Sequence, residues 1–305
     1  MPSPTLTQRL RPGLLAALLA SHALWTHASD EAPPATPPVG TLPSAIAPAD
    51  DLSGNEHRAA IRANRMQHLS ERINGDPQLT RERCRYESEI ATPPPPQRVA
   101  LTFDDGPEPG QTEHILEVLE RHQVPATFFM IGEKAKRHPE LVAAVQRSGH
   151  HLIGNHSWNH PNFHSIAVDV QAREVRDTEA ALGAALNPKL FRYPYGNSSC
   201  ETNALLKTEG YQTVGWHVDS CDWAFDANGS VDSKEALECG VLPAYRKDYV
   251  GHVLSALRAH RGGIVLMHEI HPNTLKSLEA IIEALVAAGY TFGSLKDDGF
   301  ASSLR

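Results

Sequence analysis

From Arg98 to the C-terminus, apolar runs alternate along the chain with segments of amphipathic pattern. The apolar runs predict strands at 98–103, 126–131, 151–154, 189–193, 211–216, 263–267 and 290–292. Between them, apolar residues at helical spacing predict helices at about 111–122, 139–148, 167–185, 201–208, 248–260 and 274–287. This alternation is typical of an α/β protein with a parallel sheet, either an open doubly wound sheet or a barrel.

Polar residues that can act in catalysis or metal binding follow the ends of these apolar runs. They are Asp104-Asp105, Asn155-His156, Arg192, Asp219 and His268. In folds built from alternating strands and helices, reacting groups gather at the carboxyl ends of the strands. We therefore expect these side chains to meet at one end of the sheet.

Two adjacent carboxylates, Asp104 and Asp105, follow the first apolar run in the stretch LTFDDGP. They repel each other, and a metal cation is the first candidate for offsetting this repulsion. Successive strand residues point to opposite faces, so one carboxylate can ligate an ion while the other faces a reacting water. The alternative is a turn acid and a helix cap, because Gly106-Pro107 is expected to end the strand.

The stretch HSWNH supplies two further candidate ligands, His156 and His160. At a spacing of i, i+4 we expect the two histidines to lie on one side of a helical turn, where they can bind one ion. One aspartate and two histidines leave positions for water and substrate, as a catalytic metal site requires. In a chain with 17 histidines the pair alone could be incidental, and its coupling to Asp105 favours the metal site.

Three further stretches carry candidate catalytic groups. In FRYPYG, Arg192 can hold a carboxylate in a fixed orientation, and Tyr195 can offer a backbone N–H to a developing oxyanion. In VDSCDWAF, Asp222 can orient a histidine and Trp223 can line a pocket. In IVLMHEIH, His268 is a candidate general acid. The alternatives are structural: a solvated arginine, a turn acid, a packed tryptophan and a core histidine.

The first 97 residues have a different composition from the rest of the chain. Residues 1–28 predict an export signal, with Arg9 and Arg11 before an apolar run that is too short for a comfortable membrane span. An uncleaved anchor is the alternative. Residues 29–49 are rich in Pro and Ala and predict a linker, and residues 50–97 predict a partly helical extension.

The net charge and the cysteines indicate which partners and which cellular compartment the protein has. The net charge is -8 with no long basic run, which argues against nucleic acid or an anionic membrane surface as the main partner. Four cysteines fit an oxidising compartment outside the cytosol. Four cysteines allow three pairings, and the sequence does not fix which one forms. The preferred pairing joins Cys221 to Cys239, which closes the shortest loop, and leaves Cys84 and Cys200 as the second pair. Free buried thiols are the alternative, and the absence of a CxxC spacing disfavours a zinc cluster.

Five of these stretches resemble, in their order, the motifs of one known family. TFDDGP, HSWNH, RYPY, DSCDW and LMH are similar to the five motifs of the polysaccharide deacetylase family, the NodB-homology domain of carbohydrate esterase family 4. The resemblance covers about residues 98–296 and leaves 297–305 as a C-terminal tail. It implies a distorted (β/α) barrel with a metal at its C-terminal mouth.

The resemblance also implies a role for each matching residue. The implied metal ligands are Asp105, His156 and His160. Asp104 is the implied base, with Arg192 as its tether. Tyr195 is the implied oxyanion donor, and His268 is the implied general acid, with Asp222 as its orienting partner. Trp223 and Leu266 are the implied walls of an acetyl pocket.

The resemblance implies a metal-dependent enzyme that removes N-acetyl groups from N-acetylglucosamine units of an extracytoplasmic polysaccharide. We expect one divalent ion, Zn²⁺ first and Co²⁺, Fe²⁺ or Ni²⁺ as alternatives. We expect peptidoglycan as the substrate, with chitin oligomers, an exopolysaccharide or O-acetylated xylan as alternatives. A non-catalytic glycan-binding protein and a small-molecule amidase are competing hypotheses. We further expect a secreted or periplasmic monomer without stable membrane insertion. We expect the loop at 224–247 either to shape a substrate groove or to be a surface excursion.

Overall fold

The computed structural model describes residue 90 and residues 92–305. The predicted signal, the linker and nearly all of the predicted extension, with its helix near 50–75, lie outside the described residues and stay predictions. Within the described part, no helix is both long enough and apolar enough to cross a membrane.

Eight strands of the described part form one sheet in which neighbouring strands run parallel. Their order is β5-β4-β3-β2-β1-β7-β6, and β8 pairs with the amino-terminal end of β1. The bounds are β1 Arg98–Gly106, β2 Ala126–Met130, β3 Leu152–Asn155, β4 Leu190–Phe191, β5 Gln212–Thr213, β6 Val218–Asp219, β7 Gly263–His268 and β8 Thr291–Phe292.

Eight α-helices of the described part connect these strands. Their bounds are α1 Gln111–His122, α2 Gly132–Arg137, α3 Pro139–Arg147, α4 Val168–Leu182, α5 Cys200–Thr208, α6 Ser233–Cys239, α7 Tyr249–His260 and α8 Pro272–Ala287. The sheet curls, and its end strands β5 and β6 do not pair within the described residues, so the barrel is incomplete. The prediction of a distorted (β/α) barrel is confirmed for the described part.

The central strand β1 explains how the fold separates its core from its site. Val99, Leu101 and Phe103 are buried in the large apolar cluster that includes the helices. Ala100 belongs to a second cluster on the other face of the sheet. Because strand side chains alternate, Asp104 lies on the same face as Ala100. Burying an aliphatic or aromatic side chain contributes about 1.5–3 kcal/mol, so the alternation of β1 specifies which face Asp104 occupies.

The strand β1 runs three residues further than the apolar pattern predicts. It continues through Asp104 and Asp105 to Gly106, with a register shift against β2 between Asp104 and Gly106. The shift is a local irregularity of the ladder, and the pattern of apolar residues carries no sign of it. Strand β6 and helices α2 and α6 were likewise not predicted, since they are short.

The C-terminal residues 297–305 pack against the sheet. Phe300 is fully buried in the cluster that contains Ala100, and Leu304 forms an antiparallel bridge with Val214. Asp297 pairs with Arg98 at the start of β1. This segment therefore lies against the end of β5 and the start of β1.

The structure contains the predicted Cys221–Cys239 disulfide, whose Cα atoms are 5.9 Å apart. Cys84 lies outside the described residues, so its pairing with Cys200 stays a prediction. Within the loop 224–247, the carboxylates of Asp226 and Asp232 accept hydrogen bonds from nearby backbone N–H groups of the same loop. These contacts favour the surface excursion over the groove.

Replacing Cys221 and Cys239 together by Ala is expected to lower the free energy of unfolding by about 3 kcal/mol, because the bridge closes a loop with a sequence separation of 18. Urea denaturation of the wild type and the double variant measures the loss. Repeating both curves in a reducing agent is the control, since only the packing difference then remains. If the difference in unfolding free energy between the two proteins is as large in the reducing agent, the disulfide is not its cause.

Candidate metal centre and active site

A cavity of about 770 Å³ opens at the carboxyl ends of the strands. Its walls include eight of the ten predicted site residues, and the other two, Arg192 and Asp222, are buried behind it. The eight are Asp104, Asp105, His156, His160, Tyr195, Trp223, Leu266 and His268. No residue of the loop 224–247 is among the described residues that line this cavity.

Three of these residues bring their donor atoms together. The Oδ1 atom of Asp105 lies 3.6 Å from Nε2 of His156 and 3.4 Å from Nε2 of His160. One donor atom of each residue lies within 4.8 Å of those of the other two. Asp105 reaches this position because its backbone has a φ of 71°, beside the register shift at the end of β1.

The expectation that His156 and His160 share a helical turn is wrong. Residues 156–160 form an irregular turn after β3, in which Ser157 and His160 have φ values of 68° and 61°. A right-handed helix requires negative φ throughout. The two histidines still converge, because the left-handed residues fold the turn back on itself.

The donor set fits a divalent cation. The Asp105 Oδ1 atom is buried and has no hydrogen-bond partner among the described residues. The His156 Nδ1 atom lies 2.9 Å from the carbonyl oxygen of Arg192, so Nδ1–H donates and the Nε2 lone pair faces Asp105. Burial lowers the pKa of His156 to about 3 and also lowers the pKa of His160. Both rings are therefore held in the neutral form that binds metals.

A second group with similar donors lies at the opposite end of the strands. Glu120, His150 and His151 also bring their donor atoms within 4.8 Å of one another. The backbone N–H of Ala126 donates to Nδ1 of His151 at 3.2 Å, so the neutral ring carries its proton on Nε2. That nitrogen then has no lone pair for an ion, which disfavours a metal at this group.

A buried guanidinium holds the second carboxylate of the pair. Arg192 is 1% exposed, and its Nη1 donates to Oδ1 of Asp104 at 2.7 Å. Three further N–H groups of Arg192 donate to the hydroxyl oxygen of Thr102 and to the carbonyl oxygens of Val214 and Gly215. Burial raises the pKa of Asp104, and the positive charge of Arg192 opposes this rise. The hydrogen bond from Arg192 orients Asp104 through its Oδ1 atom. Its Oδ2 atom lies 3.6 Å from Nε2 of His156.

A second buried acid holds His268. Asp222 is fully buried, and its Oδ1 atom accepts a hydrogen bond from Nδ1 of His268 at 2.7 Å. Its Oδ2 atom accepts from the backbone N–H of His268 and from the hydroxyl of Thr274. Burial disfavours the charged imidazolium, but the charge and hydrogen bond of Asp222, with the charges of Asp105 and Asp104, together outweigh this effect and raise the pKa of His268 to about 10. His268 is therefore protonated at neutral pH.

The remaining candidates form the walls of the cavity. Tyr195 is 63% exposed, has a φ of 58°, and packs its ring against that of His160 with 4.6 Å between centroids. The indole N–H of Trp223 donates to Oδ1 of Asp219 at 3.3 Å. Leu266, on β7, is buried and supplies an apolar wall.

Several residues of the site carried no assigned role in the sequence. Trp216 and His271 line the cavity, and the His271 ring lies edge-on to His268 with 5.3 Å between centroids. The stretches YQTVGW and HEIH contain them, but neither residue had a partner that the sequence could identify. Glu174, on α4, contacts the turn between the two histidines. No sequence pattern near Glu174 indicated a role in the site.

Replacing Arg192 by Gln is expected to lower the free energy of unfolding by about 3–5 kcal/mol, because Asp104 then loses the partner of a buried charge pair. Arg176→Gln is the matched control: its side chain is 60% exposed in an ion pair with Glu209, and its loss is expected to stay below about 1 kcal/mol. Chemical denaturation measures both. Similar losses in the two variants would contradict the importance of the buried pair.

Comparison with known proteins shows which family the chain belongs to. The family model for polysaccharide deacetylase matches residues 91–214. A chitooligosaccharide deacetylase of Rhizobium leguminosarum bv. trifolii is 33% identical over 215 residues, which cover 65% of this chain and 90% of that protein. A peptidoglycan-N-acetylglucosamine deacetylase of Bacillus cereus is 34% identical over 205 residues, covering 65% of this chain and 86% of that protein.

A solved structure extends the likeness to three dimensions. The family 4 carbohydrate esterase from Streptomyces lividans, in complex with acetate, superposes with a TM-score of 0.53 at 31% sequence identity. The match covers 65% of this chain and 93% of that one. The chain belongs to the polysaccharide deacetylase family, carbohydrate esterase family 4.

Proposed function

We propose that this protein is a metal-dependent hydrolase that removes N-acetyl groups from N-acetylglucosamine units of an extracytoplasmic polysaccharide. One observation carries the proposal: an acid–base pair flanks three converging metal donors in one cavity. Asp104 and His268 occupy paired positions on the neighbouring strands β1 and β7. Each is oriented by its own buried partner of opposite charge. The similarity to deacetylases of chitooligosaccharide and of peptidoglycan N-acetylglucosamine supports this substrate class.

Asp105, His156 and His160 are the proposed metal ligands. Two imidazoles and one carboxylate favour Zn²⁺, with Co²⁺, Fe²⁺ or Ni²⁺ as alternatives, whereas Mg²⁺ and Ca²⁺ prefer more oxygen ligands. A divalent ion held there would polarise the amide carbonyl and acidify a water molecule.

The chain's own residues would divide the proton transfers between them. Asp104 accepts a proton from the attacking water, and the bond to Arg192 keeps its free oxygen directed at the site. The backbone N–H of Tyr195 is the proposed donor to the oxyanion of the tetrahedral intermediate. His268 donates its Nε2 proton to the leaving nitrogen as the C–N bond breaks. The water oxygen ends in acetate, and the sugar keeps a free amine.

The walls of the cavity would select the acyl group. Trp223 and Leu266 offer apolar surface next to the donors, which suits the methyl group of acetate. Asp219 holds the indole of Trp223 through its N–H. The same walls would accept an acetyl ester, so O-acetylated xylan stays a competing substrate.

Peptidoglycan is the proposed substrate, followed by chitin oligomers and exopolysaccharides. Action outside the cytosol rests on the predicted export signal at residues 1–28. Acetate release from peptidoglycan, chitin oligomers and acetylated xylan, measured side by side with the Zn²⁺-loaded protein, tests the substrate class. Release from none of the three would contradict the deacetylase proposal and would favour a non-catalytic glycan-binding protein.

Asp104→Asn is expected to retain one bound Zn²⁺ per chain while kcat falls at least about 100-fold, because the amide cannot accept the proton of the water. Acetate release and metal content, measured on the same preparation, test this. Asp105→Asn is the contrasting variant and is expected to lose metal as well as activity. Full metal content together with full activity in Asp104→Asn would show that another group is the base.

Asp222→Asn is expected to shift the alkaline limb of the kcat/KM profile to lower pH. Asp222 stabilises the protonated form of His268, so its neutralisation lowers the pKa of the acid and activity is lost at a lower pH. A hydrogen bond to a charged group is worth about 1.5–3 kcal/mol, which corresponds to a shift of about 1–2 pH units. Asp226→Asn, a loop carboxylate outside the cavity, is the control. An unshifted limb in Asp222→Asn would contradict the role of His268.

A further inference from the structure

The turn that carries His156 and His160 is strained and needs external support. Ser157 and His160 both have left-handed φ values, which cost of order 1–3 kcal/mol each for residues other than glycine. Such conformations persist only where surrounding contacts determine them. The position of two proposed metal ligands therefore depends on what holds residues 156–160.

The start of α2 holds the carbonyl groups of this turn. The backbone N–H of Gly132 donates to the carbonyl oxygen of Ser157, and that of Glu133 donates to Trp158, both at 2.9 Å. A Cβ atom at Gly132 would lie 2.7 Å from the Trp158 ring and 2.4 Å from the Thr178 hydroxyl. Helix α2 and the turn are thus packed too closely to move independently.

A single carboxylate holds the apex of the turn from the other side. Glu174, on α4, is 6% exposed, and its Oε2 atom accepts the backbone N–H of Trp158 at 2.8 Å and that of Asn159 at 3.1 Å. The other three N–H groups of residues 156–160 donate to acceptors within β2, β3 or the turn itself. Trp158 is half-buried and Asn159 is exposed. Their two N–H groups have an acceptor on a distant helix, so the loss of Glu174 would remove the hydrogen bonds that hold the apex in place.

We propose that Glu174 is a positioning residue that sets the metal affinity of this protein by holding the turn between His156 and His160. It is not one of the three converging donors, and it acts through the backbone of the two residues between them. The proposal rests on the proposed metal site and extends it to a residue outside the five motifs. Outer-shell partners of this kind typically change metal affinity by about 10–100-fold.

Three substitutions of Glu174 distinguish the effect of its side-chain length from the effect of its charge. Glu174→Ala removes the acceptor. Glu174→Asp keeps the charge but withdraws the carboxylate by one bond, about 1.5 Å, beyond reach of the two N–H groups. Glu174→Gln keeps the reach and removes the charge. Asp169→Ala, an exposed acid on the same helix, is the control.

The dissociation constant for Zn²⁺ is measured without substrate, by competition with a chromophoric chelator on the metal-depleted full-length protein. We expect it to rise about 10–100-fold in Glu174→Ala and Glu174→Asp, and to stay within about threefold of the wild type in Glu174→Gln and Asp169→Ala. The absorption spectrum of bound Co²⁺ should change in the first two variants only, which reports ligand geometry rather than overall stability.

The outcomes distinguish this proposal from the proposed function. Wild-type affinity in Glu174→Asp, or an equally weak Glu174→Gln, would overturn the positioning role while leaving the deacetylase proposal intact. Absence of Zn²⁺ binding by the wild type would overturn the metal site and this proposal with it. If Glu174→Ala does not fold, the Asp and Gln variants decide the question between them.

Discussion

One buried guanidinium connects the parts on which the site depends. Arg192 donates from the end of β4 to Asp104 and Thr102 on β1, and to two carbonyl groups beyond β5. Its own carbonyl oxygen faces Nδ1 of His156 and thereby fixes the tautomer of a proposed ligand. A charge that is 1% exposed needs hydrogen-bond partners, and these partners lie on β1 and after β5, so the guanidinium links two parts of the curled sheet.

The site concentrates backbone strain as well as charge. Asp105, Ser157, His160, Tyr195 and Cys221 all have positive φ, and they are five of the eight such non-glycine residues in the described part of the chain. Three of them are proposed ligands or oxyanion donors. The barrel supplies the supporting contacts from elements that take no part in the chemistry, such as α2 and α4. Strained turns at strand ends place side chains where regular strands could not.

The electrostatics of the cavity divide four ionisable groups into two pairs with different tasks. Asp104 is tied to a permanent cation and can accept a proton, whereas Asp222 keeps His268 in its acidic form. Both supporting groups are buried behind the cavity wall, where low polarity strengthens their effect. In the proposed reaction the base and the acid therefore hold opposite protonation states in one cavity, beside the proposed metal donors.

The amino-acid pattern by itself determined the α/β class and the order of most strands and helices, because apolar periodicity is a local signal. Polar residues at strand ends and the five motifs indicated eight of the residues that line the cavity. The sequence favoured the Cys221–Cys239 pair but left the connectivity of the four cysteines open. It did not determine the register shift at Asp105, the irregular turn that replaced the expected helical one, or the support from Glu174. Those features arise from hydrogen bonds between segments distant in the sequence. Only the tertiary structure decides them, because the satisfaction of a buried backbone group depends on which distant side chain the fold brings to it.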